Sequence, residues 1–195
     1  MFNEPKYFRN NRKGWIEVIC GCMFSGKTEE LIRRINRAKI ANLKTEVYKP
    51  ATDTRYDEAA VVSHNSTATS SIPVESSLNI LLLYKDAEVV CIDEAQFFDT
   101  ELIYVCEKLA AKGIRVIIAG LDMDYLGKPF GPMPGLMAVA EYVTKVHAIC
   151  MQCGDLATHS FRKHHSDALV MLGEKGEYEA RCRSCFAEGM AKNQG

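Results

Sequence analysis

"WIEVICGCMFSGKTEELIRR", residues 15–34, joins a greasy β-rich run to a helical one through a glycine-bounded loop. The apolar residues up to Cys20, closed by Gly21, read as a buried strand. Gly21-x4-Gly26-Lys27-Thr28 then has the spacing of a P-loop, in which backbone N–H groups cradle phosphates, the lysine reaches the terminal ones and the hydroxyl binds Mg2+. Cys22, Met23, Phe24 and Ser25 put side chains where other loops have glycines, but main chain holds the phosphates, so the motif survives. A helix opens at Thr28: Leu31, Ile32, Ile35 and Ala38 share a face, Glu29 and Glu30 lie near the positive end, and basic residues follow. Arg33, Arg34 and Arg37 read as its solvated side. Strand, loop and helix in this order add the anion affinity of a helix N-terminus to the loop, and predict nucleotide binding by Gly21 through Thr28.

Further strands are expected at TEVYKP (45–50), VVCI (89–92) and IRVIIAG (114–120), with a helix capped by Asp99 or Thr100 and closed by Gly113. Strands alternating with helices of this length predict an α/β fold with a mainly parallel sheet. Asp93 and Glu94 follow the 89–92 strand directly. A hydrophobic strand ending in Asp is the Walker B pattern, whose acid sits on the Mg2+ side of the nucleotide, and a neighbouring carboxylate can take the proton of an attacking oxygen. An isolated Asp-Glu would be two solvated acids; beside a P-loop the pair reads as chemistry. Cys20, Cys22, Cys91 and Cys106 read as apolar filling.

At 195 residues and 47% hydrophobic content, the chain supports one main core and a small appendage. Lys+Arg 24 against Asp+Glu 25 leaves a net charge of -1, which provides no overall field for nucleic acid or anionic membrane and favours a small-molecule partner. No apolar run approaches the roughly 20 residues of a bilayer span, and the basic start has no apolar segment behind it, so a cytoplasmic protein is expected. Cys150-x-x-Cys153 and Cys182-x-x-Cys185 fit a closed tetrahedral Zn2+ site of structural type. A redox pair is the alternative, but it needs only one such knuckle. With the shell complete, His159, His164 and His165 read as ordinary polar residues.

The stretch LDMDYLGKPFGPMPG (121–135) has repeated Gly and Pro but also Tyr125 and Phe130, and reads as an ordered binding loop. Phe97, Tyr125, Phe130 and Tyr178 can enclose a flat ring, which favours a kinase of a base-containing acceptor over an ATPase that admits water. Asp53 and Arg55 in KPATDTRYDE meet substrate or phosphate, or form a polar turn.

GCMFSGKTEELIRR, KPATDTRY, CIDEAQFF, KPFG, CMQCG and YEARCRSC, in this order over residues 15–186, resemble the type II thymidine kinase family. The resemblance implies a RecA-like P-loop domain over 15–149, a zinc-binding lasso domain over 150–190, and tails at 1–14 and 191–195. It implies a homotetramer that transfers phosphate from ATP, with Mg2+, to the 5'-hydroxyl of thymidine and also of deoxyuridine, under feedback by thymidine triphosphate. Glu94 then corresponds to the base and Asp93 and Thr28 to the magnesium side, with Gln96 on the ATP side. Met23, Asp53, Arg55, Phe97, Leu121, Tyr125, Phe130, Ser160 and Tyr178 correspond to the acceptor pocket, and Leu169, Val170, Met171, Leu172 and Gly173 to the lasso whose main chain holds the base. Two other readings compete: a nucleic-acid-dependent P-loop ATPase with a zinc ribbon, since Asp93-Glu94-Ala95 is similar to a helicase box, and a nonenzymatic zinc-ribbon protein.

Overall fold

The computed structural model describes residues 13–51, 60–62, 68–163 and 177–193. Asp53, Arg55, His164, His165 and the 169–173 stretch lie outside the described residues. In chain order the elements are β1 (Trp15–Gly21), α1 (Lys27–Ile40), β2 (Thr45–Pro50), β3 (Ala60–Val62), β4 (Ala68–Ser70), β5 (Ile72–Val74), α2 (Leu78–Leu83) and β6 (Val89–Ile92). There follow α3 (Leu102–Ala111), β7 (Arg115–Leu121), α4 (Met133–Val139), β8 (Tyr142–Lys145), β9 (Ala148–Ile149), β10 (Leu156–Ala157), β11 (His159–Arg162), β12 (Tyr178–Arg181) and α5 (Arg183–Asn193).

Six strands form one sheet in the order β5-β2-β6-β7-β1-β8, and every neighbouring pair is parallel. Alternation along the strands separates two cores, as a pleat of period two requires. Ile16, Val18, Cys20, Val90, Ile92, Val116 and Ile118 face the helices α3 and α4. Ile19, Val89, Cys91, Ile117 and Ala119 face Leu31, Ile32, Ile35 and Ala38 of α1. Strands covered on both faces are continuously apolar, and β6 and β7 read that way in the sequence. Burial raises the thiol pKa of Cys20 to about 11 and of Cys91 to about 12, consistent with inert filling.

Two expectations change. Arg34 is not on a solvated side: it is fully buried, its Nη1 donating at 2.7 Å to Oε2 of Glu17, which also accepts Arg115 Nε through Oε1 at 2.7 Å. Glu17 is itself fully buried on the α1 face of β1, so the helix periodicity that placed Arg34 beside Ile35 met a charge already waiting in the sheet. Helix α3 begins at Leu102 with Glu101 at its N-cap position and no side-chain cap. Asp99 instead accepts the backbone N–H of Ser77 at 3.1 Å and also the Ser77 hydroxyl, tying down the start of α2. Helix α2 itself escaped sequence reading because LNILLL is apolar all round, buries only Ile80 and carries no helical period.

Beyond the sheet, β9 pairs with β10 and β11 with β12, both antiparallel, and α5 follows. Cys22 of the glycine loop packs in one buried cluster with Ala148, Cys150, Ala157, Ala180 and Cys182. The cysteine-held segment therefore rests directly on the loop after β1.

Candidate active site

The loop after β1, the acids after β6 and the residues after β7 all emerge at the carboxyl ends of adjacent parallel strands, where open α/β sheets bind ligands. Gly21 is required by space: a Cβ there would lie 2.2 Å from the carbonyl oxygen of Val146. Gly26 is required by conformation, since it stands at the N-cap of α1 with φ 86°. Lys27 Nζ donates to the carbonyl of Cys22 at 2.8 Å, as does Ser25 Oγ at 2.7 Å, so the lysine folds over the loop. Desolvation lowers the Lys27 pKa, opposed first by Glu94 and then by Cys22, Asp93 and Asp122. Thr28 is half-buried in the first turn of α1. Met23 donates its backbone N–H to Ser160 Oγ at 3.0 Å, and Cys22 Sγ donates to the carbonyl of Ala157 at 3.4 Å.

Asp93 is buried, and its Oδ1 accepts the N–H of Glu94 at 2.9 Å. Glu94 is half-buried with φ 51° and ψ 40°, a left-handed conformation uncommon outside glycine. Gln96, placed by the short 3-10 turn Ala95–Phe97, donates from Nε2 to Glu94 Oε2 at 2.5 Å and accepts the N–H of Leu121 through Oε1 at 2.9 Å. One side chain thus links the acid after β6 to the end of β7. Two glycines make its room: a Cβ on Gly120 would meet Gln96 Oε1 at 2.9 Å, and one on Gly131 would meet the Gln96 carbonyl at 2.3 Å.

Within the 121–135 stretch, α4 begins at Met133. Phe130 donates its N–H to the Asp122 carbonyl at 3.2 Å, and Asp124 accepts the N–H groups of Leu126 and Lys128 through Oδ1, both at 2.9 Å. Phe130 meets Phe97 edge to face at 5.7 Å, and both are half-buried. Tyr125 and Tyr178 meet through Arg162, whose guanidinium carbon lies 3.7 Å and 5.5 Å from their ring centroids. Of the acceptor residues expected from the sequence, six of the described ones fall into three contact sets, Met23 with Ser160, Phe97 with Phe130, and Tyr125 with Tyr178, while Leu121 is bound through its N–H to Gln96. Sequence reasoning missed Arg162 and the buried Asp122, which pairs with Lys145 Nζ at 2.6 Å. No motif marks either; for Asp122 the one available signal was a charge directly after an apolar strand, and Arg162 in HSFR had none.

Cys150, Cys153, Cys182 and Cys185 bring their sulfurs within 4.8 Å of one another. Hydrogen bonding of its thiol to the neighbouring Cys182 and Cys153 sulfurs pushes Cys185 up to about 12, whereas for Cys150 burial is outweighed by backbone N–H groups led by that of Cys182, which draw it down to about 6. Four sulfurs so crowded can all ionise only against a cation, and an all-thiolate set of four suits Zn2+. The cluster can hold a zinc ion.

A backbone phosphate loop at a helix N-terminus, with lysine above it and an acid pair at the end of a parallel strand two places along the sheet, defines a P-loop nucleotide-binding protein. The thymidine kinase family model matches residues 14–186. Thymidine kinase of Bacteroides fragilis YCH46 is 56% identical over 194 residues, covering 100% of this chain and 98% of that one. Thymidine kinase of Porphyromonas gingivalis ATCC 33277 is 60% identical over 183 residues, 94% of this chain and 90% of that one. That of Rhodothermus sp. ITI 518 is 58% identical over 184 residues, 94% and 86% of the two chains. The chain belongs to the thymidine kinase family.

Proposed function

We propose that this enzyme transfers the γ-phosphoryl group of ATP to the 5'-hydroxyl of thymidine, and also of deoxyuridine, in nucleotide salvage. The observation that carries this reading is Glu94, held by Gln96 at 2.5 Å between the phosphate loop and the aromatic-bearing loop after β7. Gly21 through Thr28 bind the phosphates by main-chain N–H groups, and Lys27 leaves the Cys22 carbonyl to meet the β- and γ-phosphates. Mg2+, bound with ATP, neutralises charge on those phosphates, and Thr28 and Asp93 are the residues that would hold it. Glu94 Oε takes the proton of the 5'-hydroxyl as that oxygen bonds to γ-phosphorus and the bond to the β,γ-bridging oxygen breaks, releasing ADP.

Phe97, Phe130, Tyr125 and Tyr178 enclose the base, with Met23, Leu121 and Ser160 beside it; Asp53, Arg55 and the main chain of 169–173 complete the pocket. The four-cysteine zinc site is structural in this reading. Residues 15–149 act as the nucleotide-binding domain and 150–190 as the lasso domain. Family membership supports a cytoplasmic homotetramer inhibited by thymidine triphosphate. Among the described residues no helix is long and apolar enough to cross a membrane.

The test offers ATP-Mg2+ with a panel of nucleosides to the wild type and to Glu94→Gln. The expected product from thymidine is the 5'-monophosphate, with turnover in the variant lower by about 100- to 10,000-fold and ATP binding kept. ATP hydrolysis without nucleoside product, or equal turnover in the variant, overturns the reading.

A further inference from the structure

Arg162 ends β11, is only 4% exposed, and belongs to none of the motifs. A guanidinium keeps its charge at any working pH, so its burial requires partners that face it. Two of these are the tyrosines of the acceptor pocket. Nη2 and Nε donate to Tyr178 Oη at 2.9 and 3.2 Å, across the β11–β12 pair in which Arg162 stands opposite Tyr178. The face of the same guanidinium covers the Tyr125 ring at 3.7 Å, well inside the range of a cation–π contact.

The two rings come from unrelated parts of the chain. Tyr125 sits in the loop after β7, which is braced internally by Asp124. Tyr178 sits on a strand of the cysteine-held segment. A second contact follows the same seam: Gly127, two residues beyond Tyr125, lies against the stacked pair His159 and Phe186, and a Cβ there would meet Phe186 at 3.2 Å. The loop tip therefore leans on the cysteine-held segment, and Arg162 is the polar pin in that contact.

We propose that Arg162 is a positioning residue for the nucleoside acceptor, its buried guanidinium clamping Tyr125 to Tyr178 so that the aromatic wall is formed before the acceptor arrives. The proposal rests on the acceptor reading given above. Its chemistry needs a planar fork that donates in its plane and stacks on its face, which lysine cannot supply. The glycine loop is built by β1 and α1, so the clamp acts on acceptor binding and leaves ATP binding alone.

The experiment measures KM for thymidine and, separately, the dissociation constant for ATP-Mg2+ in Arg162→Met and Arg162→Lys. Thymidine KM is expected to rise about 30-fold for Met and about 10-fold for Lys, the range of a desolvated cation–π contact with charged hydrogen bonds. ATP affinity is expected to stay within about twofold of wild type, well short of the tenfold that 1.4 kcal/mol represents. In a double-mutant cycle with Tyr125→Leu, the combined change is expected to raise KM by less than the product of the single effects. Should Arg162→Met fail to fold, Arg162→Lys and Tyr178→Phe carry the same prediction, the latter deleting only the hydroxyl that accepts both N–H groups. Unchanged thymidine KM, fully multiplicative effects, or an equal loss of ATP affinity each overturn the clamp. A wild type that makes no thymidine product overturns the acceptor reading instead.

Discussion

Glu94, Phe24 and Asn42 are the non-glycine residues with positive φ among the described residues, and two of the three lie in the loop after β1 and the turn after β6. Such a conformation costs on the order of 1–3 kcal/mol and persists where surrounding structure holds it. For Glu94 the restraints are the Asp93 carboxylate on its N–H and Gln96 on its side chain. Gln96→Met removes the second of these and frees the carboxylate to turn away. The expected result is a fall in kcat of about tenfold, the kinetic equivalent of one hydrogen bond to a charged group, read in steady-state assays with thymidine. Gly131, with φ 50° and a would-be Cβ 2.3 Å from the Gln96 carbonyl, shields the same arrangement from behind. Gly131→Ala meets main chain rather than a movable side chain, so it is expected to lower stability by more than about 1 kcal/mol in urea titration and to lower kcat with it. The Asp93-Glu94 pair was legible because it ends an apolar strand. The task of Gln96 was not, because its other partner is Leu121 on a strand distant in sequence.

Helix α1 carries the phosphate loop at its front and is joined to the sheet by charge as well as by apolar packing. Arg34 reaches Glu17 on β1, Glu30 on its own helix and Thr144 on β8, at 2.7, 2.8 and 3.0 Å. Arg34→Met leaves Glu17 buried with Arg115 as its remaining charged partner, and is expected to destabilise the fold by roughly 3 kcal/mol in denaturant titration. Glu30 supplies a pH test. Hydrogen bonds from Arg33, then from Arg34, outweigh desolvation and depress its carboxyl from 4.5 to about 2. A depressed carboxyl stabilises the folded state above its unfolded pKa and loses that contribution as pH falls through the folded value. The stability difference between wild type and Glu30→Gln is therefore expected to be full at pH 7 and to shrink as pH is lowered from about 4.5 toward about 2 in parallel urea titrations. The apolar face of α1 was legible at helical spacing. The burial of Arg34 was not, since a helical repeat shows which residues share a side but not what charge the sheet presents to them.

Across the molecule, the sheet and the cysteine-held segment meet at the phosphate loop. Cys22 and Phe24 pack with Cys150, Cys182 and Cys185 of the four-cysteine cluster, and Met23 hydrogen-bonds Ser160 of the same segment. Metal binding to four thiolates is worth roughly 10–16 kcal/mol to segments of this kind, so stripping it is a large perturbation. Chelation, or Cys182→Ser, is expected to abolish thymidine turnover, weaken ATP binding and remove a structured unit from the thermal melt while the parallel sheet persists. Zinc content, calorimetry and nucleotide titration on the same sample check this.

The strand-loop-helix unit, the acid pair and the paired cysteines were all readable along the chain, because each depends on local spacing: a pleat, a helical turn, a metal knuckle. The family resemblance followed from their order. Arg34 against Glu17, Gln96 between Glu94 and Leu121, and Arg162 between two tyrosines required the folded chain, because each joins side chains far apart in sequence. Burial makes those contacts matter: a charge or amide removed from water must find its partner among whatever the fold brings near, and no local period encodes that.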